Sequence, residues 1–192
     1  MGKFMENLHR VLFAGVALAI IVALWRHSDL LATQVYWAGI FRWIHVFTGV
    51  LWIGLLYYFN FVQIPSMPKI PDEQKPAIGK VIAPTALFYF RWAAAGTMLL
   101  GLLLAGAEGY LGQALVFTPG FQTIGLGMWL GLIMGANVWG VIWPNQKKAL
   151  GIVTVDADAK KKAARTAMIA SRVNTMLSIP MLYCMVGQSH FG

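Results

Sequence analysis

Five apolar segments divide this chain, at about Val11–Trp25, Trp43–Ile64, Ala86–Gly106, Gly125–Trp143 and Ala167–Gly187, and its basic residues crowd into alternate gaps between them. A helix needs roughly 20 mostly apolar residues to cross the hydrocarbon of a bilayer. The last four segments have that length or nearly so. The first reaches it by taking in Leu8–Arg10, which gives a span over about residues 8–25. The pattern predicts an all-α integral membrane protein, with residues 1–192 forming one bundle of five transmembrane helices.

Charge placement sets the direction of the bundle. With the amino terminus inside, eleven basic residues lie inside: Lys3, Arg10, the lysines at 69, 75 and 80, and the cluster from Lys147 to Arg165. Only Arg26 and Arg42 lie outside, and the loop 107–124 has neither Lys nor Arg. By the positive-inside rule the expected topology is N-in, C-out. At 58% hydrophobic and 11% charged, with mean hydropathy +0.65, the composition is not that of a soluble domain. The net charge of +8 therefore points to anionic lipid headgroups, not to nucleic acid.

The first segment has the size of a secretory signal core, but Trp25-Arg26-His27 stands where a small-residue cleavage site belongs, so it reads as a retained helix. Cys184 is the single cysteine, which excludes an intrachain disulfide and the C-x-x-C-H attachment of c-type haem.

Pro65, Pro68, Pro71 and Pro76 predict a loop that cannot be one long helix. Pro84 suits the first turn of the third span. The outer loop 108–124 is expected to fold back on the bundle. Asp156 and Asp158 suit the positive end of a helix running on to Gly187, with a kink at Pro180. Gly127, Gly131 and Gly135 recur every four residues, a small-residue stripe that lets helix backbones approach. It serves either packing within the chain or contact with another membrane subunit, through that face or a different one.

The polar residues left inside the spans carry the candidate chemistry. Arg91 and Arg172 each lie some five residues into a span, at a common depth, and Asn60, Asn137 and Asn174 reach a similar level. All seven acidic residues lie in termini or loops. Two readings follow. The arginines snorkel to lipid phosphates, or Arg91 and Arg172, with Asn137 and Asn60 as further donors, form a site for a carboxylate, haem propionates or an acidic heterocycle. His45, just inside the outer end of the second span, is the candidate imidazole ligand for haem b and the only histidine expected to face the bundle interior. No metal-ligand cluster is legible in the sequence.

Three stretches resemble a known family. Arg42-Trp-Ile-His45 through Gly49, Trp52 and Gly54 is similar to the second-helix signature of the membrane domain of PuuD-type urate hydroxylases. Asn137-Val-Trp139 with Trp143-Pro144 and Gln146 is similar to that domain's N-V-W-x-x-W-P-x-Q stretch. Ser171-Arg172-x-Asn174 through Pro180, with His190, is similar to a third block, in which the family's histidine is replaced by Val173. The resemblance spans roughly Gly39 to Phe191. It implies membrane-embedded, haem-linked oxidation of urate with electrons passed to a cytochrome c. Since no C-x-x-C-H occurs here, the cytochrome c domain is expected to be lacking and the cytochrome to be a separate partner. Two functions are consistent with these features. One is a small multi-pass subunit of a larger redox complex in a bacterial-type inner membrane. The alternative is a haem-dependent oxidoreductase acting on urate or a related purine.

Overall fold

The computed structural model describes residues 2–191, and among these there is no strand. After a single turn, Gly2–Met5, the helices are α1 (Leu8–His27), α2 (Gln34–Lys69), α3 (Lys75–Ala107), α4 (Leu111–Leu115), α5 (Gln122–Ala149) and α6 (Ala157–Phe191). All of these except the short α4 are long and apolar enough to cross a membrane. The chain falls into two compact units. Met1–Ile40 holds α1 and the first turns of α2, and Phe41–Gly192 holds the rest.

Within the first unit, Asn7 caps α1: its side-chain oxygen accepts the Arg10 N–H at 3.2 Å, satisfying a donor that a helix start leaves free. No residue of α1 is buried.

In the second unit the core is a set of seams at three- and four-residue spacing. Trp52, Leu56 and Phe59 of α2 meet Leu87, Phe90 and Ala94 of α3, Met134, Val138 and Ile142 of α5, and Ala170 and Met181 of α6. Phe59 and Phe90 cross edge to face at 5.6 Å. These seams are apolar on an outer surface that is apolar too, as Val50, Phe61, Leu99, Ile133 and Ile179 stand exposed.

Helices α2, α3 and α5 run past the apolar segments at their proline-bearing ends, because the prolines there do not end them. Three of these prolines follow a wide π-helical turn: Tyr58–Gln63 before Pro65, Ile78–Ile82 before Pro84, and Val138–Ile142 before Pro144. In each case the residue just before the proline bonds five residues back, Ile64 to Phe59, Ala83 to Ile78 and Trp143 to Val138. Proline clashes with the carbonyl four residues back in a regular helix, and the wider turn relieves that clash. Residues 70–74 still break the chain between α2 and α3. Helix α6 begins as predicted, with Asp156 accepting the Ala159 N–H at 2.8 Å, and Pro180 lies inside it.

The loop 108–121 is folded back on the bundle. Ala114 is fully buried, and a Cβ on Gly125 would strike its carbonyl. Tyr110 stacks on Phe121 at 5.9 Å, while Gln188 of α6 accepts from Ile124 N and donates to the Gly120 carbonyl, both at 3.0 Å. Arg42 and Glu108 form an ion pair that ties α2 to the end of α3.

Candidate functional site

The five candidate residues take three kinds of surroundings, all within the second unit. His45 is half-buried between α2 and α3, whereas His9, His27 and His190 are exposed. Its ring lies flat on α3 because residue 101 is glycine: a Cβ there would sit 2.8 Å from the imidazole Cε1. His45 Nδ1 stands 2.8 Å from the Thr97 carbonyl. A carbonyl only accepts, so Nδ1 carries the proton and Nε2 keeps its lone pair. Thr97 turns its own hydroxyl to the Ala93 carbonyl at 2.7 Å.

Asn60 and Asn137 are braces between helices. In the π turn of α2, Asn60 donates to the Leu56 carbonyl at 2.9 Å and across to the Ser171 hydroxyl of α6 at 2.8 Å. Asn137 of α5 donates to the Ala170 carbonyl at 3.0 Å and to Asn174 Oδ1 at 2.7 Å; Asn174 donates back to the Met134 carbonyl at 2.9 Å. Tyr57 and Ser178 add a third link at 2.9 Å. Buried among apolar side chains, an unpaired polar group costs several kcal/mol, so these side chains hold the helices in one arrangement.

The two arginines diverge. Arg91 is buried. Its guanidinium carbon lies 3.4 Å from the centre of the Trp143 ring, and Nη1 donates to the Leu87 carbonyl at 3.0 Å. Arg172 is exposed, while Ser171, Asn174 and Ser178 on the same helix are buried. A planar guanidinium stacked on an indole gains about 2 kcal/mol when desolvated, which offsets part of the burial of Arg91 without any carboxylate.

Sequence reasoning missed Ser171, Ser178, Tyr57, Thr97 and Trp143. The first two were open to it, since 171, 174 and 178 recur at helical spacing and mark one polar stripe. The Arg91–Trp143 stack has no local signature, because the two residues lie on different helices. Of the glycine stripe, Gly127 and Gly135 pack inside the chain. A Cβ on Gly127 would lie 2.9 Å from Cys184 Cβ, and one on Gly135 would strike Met98. Gly131 has nothing within 4 Å.

Among the described residues there is no group of three or more His, Cys, Asp or Glu placed to hold a metal ion. Buried oxygens without a partner among the described residues are Asn60 Oδ1, Gln63 Oε1 and Gln146 Oε1.

Fold and site together define an all-helical protein with five helices capable of crossing a membrane, braced internally by amides, hydroxyls and one stacked arginine. Residues 91–192, just over half of the chain, match the family model described as "Urate oxidase N-terminal", and the protein belongs to that family. The matched region contains the Asn137–Gln146 stretch and the Ser171–Pro180 block; the Arg42–Gly54 stretch lies outside it. No curated protein and no solved structure matches the chain.

Proposed function

We propose that this protein is a small multi-pass subunit of a membrane redox complex that oxidises urate or a related purine, oriented N-in, C-out in a bacterial-type inner membrane. The observation that carries the reading is the use to which its intramembrane polar groups are put. Asn60, Asn137 and Arg91 are engaged in holding α2, α3, α5 and α6 together, so the chain acts as a rigid framework and the reacting groups come from partner subunits. Extraction in mild detergent should bring down stoichiometric membrane partners. A stable, active monomer would refute it.

A second reading rests on His45. An imidazole that donates Nδ1–H to a backbone carbonyl is oriented, with Nε2 free, in the way metal-ligating histidines are. In this reading His45 Nε2 would hold a haem iron, and the haem would supply one-electron transfer. Arg91 keeps guanidinium donors beyond the one given to Leu87 and would supply the propionate or substrate-anion contact, while Asn60 and Asn137, whose N–H bonds are already given to Leu56, Ser171, Ala170 and Asn174, would brace the helices around it. Electrons leave to a cytochrome c. The absorption spectrum separates the two readings: a Soret band lost in His45→Ala supports haem ligation, and a spectrum without one removes it.

A further inference from the structure

An open groove of about 640 Å³ runs between α5 and α6, walled by Ile133, Ala136, Val141, Ile169, Val173 and Leu177, with Asn137 and Asn174 on its lining. The amides of both asparagines are fixed in orientation, because each donates to a backbone carbonyl. Both N–H bonds of Asn137 are thereby engaged, and its Oδ1 accepts from no described residue. Apart from Thr166 at one end, whose hydroxyl is given to the Lys162 carbonyl at 3.0 Å, the groove thus presents one free amide acceptor in an apolar wall, in the volume range of small-molecule sites. An occupant that brings no donor leaves that oxygen unpaired in hydrocarbon.

Three features narrow the occupant. From Thr166 to Leu177 the groove is about 16 Å long, which is half of a bilayer core. It closes beyond that point, where Gly127 brings α5 onto Cys184 and Met185 of α6. A transmembrane helix of a partner would need the full length. Asn137 lies six residues from Trp143, an interfacial type of residue, so Oδ1 is up to about 9 Å below the headgroups. A phospholipid carries no donor at that depth, only acyl chain. We propose that the groove binds a membrane-soluble hydroquinone, the ring lying between Ala136 and Ala170, one hydroxyl donating to Asn137 Oδ1, and the apolar tail running toward Leu177. The oxidised quinone offers only acceptors; both Asn137 N–H bonds are engaged, and Asn174, which gives one N–H to Met134, is wholly buried and turns no donor to the groove, so the reduced form binds better.

The test uses the full chain in phospholipid nanodiscs, titrated with 2-decyl-hydroquinone, the corresponding quinone and the hydroquinone dimethyl ether, with empty discs as blank. Saturable one-to-one binding of the hydroquinone is expected, with the quinone and the ether at least tenfold weaker, as loss of one hydrogen bond implies. Ala136→Leu, which fills the groove from its exposed rim and leaves both amides in place, should weaken hydroquinone binding at least tenfold with an unchanged melting temperature. Equal binding of the three ligands, binding unaffected by Ala136→Leu, or no saturable binding above empty discs would each overturn the assignment.

Discussion

Replacing Asn174 tests how far the bundle depends on its amide braces. Asn174 is wholly buried; it accepts from Asn137 at 2.7 Å and donates to the Met134 carbonyl at 2.9 Å. Asn174→Leu keeps the branched shape, though with more bulk, and removes both bonds. The Met134 carbonyl still receives the Val138 N–H, so it is not orphaned. Asn137 is: one of its N–H bonds loses its acceptor inside the bundle. Two interhelical bonds at about 0.6 kcal/mol each, plus about 1–3 kcal/mol for a buried unsatisfied donor, predict a loss of roughly 2–4 kcal/mol. Asn137→Leu leaves Asn174 Oδ1 unpaired and should cost a comparable amount. The double leucine variant has no orphan on either side, so its loss should fall short of the sum of the singles by at least about 1 kcal/mol. Reversible unfolding in mixed micelles, followed by tryptophan fluorescence, measures all three. Additive losses would refute the reasoning.

Arg91→Lys should lower stability by about 1–2 kcal/mol in the same assay, because an ammonium cannot reproduce the flat stack on Trp143. Gly127→Ala should cost about 1–3 kcal/mol, since its Cβ would press on Cys184 Cβ at 2.9 Å. Gly131→Ala, with open space around it, should be neutral or stabilising by up to about 1 kcal/mol; equal losses at both positions would show that the stripe is not used as described. Burial first, and then the Glu108 carboxylate, push the Tyr110 phenol above its ordinary value of 10.0, with Arg42 opposing. A raised acid favours the folded state below the unfolded pKa, so this contribution should fade as pH rises past 10. Tyr110→Phe should remove that part of the alkaline slope, and an unchanged slope would assign it elsewhere.

The five long apolar helices were legible because the length and composition that a membrane crossing demands show directly in the sequence, and the folded-back loop followed from apolar residues set among glycines. Pairings were not legible. Asn60 and Asn137 could be placed at one depth from their distance to the span ends, but not assigned to Ser171 and Asn174, because depth fixes one coordinate and leaves the helix face open. The same limit separated Arg91 from Arg172. Counting residues set them level, and only the packed helices put one on Trp143 and left the other exposed.

The π turns explain why the faces were hard to read. A regular helix advances about 100° per residue, and each wide turn inserts one residue, so everything beyond it is rotated by about that amount relative to the simple period. In α2 the seam Trp52–Leu56–Phe59 keeps its period down to the turn at Tyr58–Gln63, and there it meets Asn60 beside Phe59 on the buried side. In α5 the turn at Val138–Ile142 starts directly after Asn137 and precedes Trp143, so it sets the angle between the residue that braces α6 and the ring that receives Arg91. Pro65 and Pro144 thus act on the site through the backbone. Each proline's ring favours a wide turn upstream, and that turn aims an asparagine at α6. Replacing Pro144 with alanine restores the missing N–H and allows a regular four-residue bond across the turn. The expected result is a one-residue change of register that swings Trp143 from Arg91. Cross-linking of a cysteine pair placed at 91 and 143 should then fall at least tenfold relative to the same pair with Pro144 retained. Undiminished cross-linking would show that packing of the seams, and not the proline, holds the turn open.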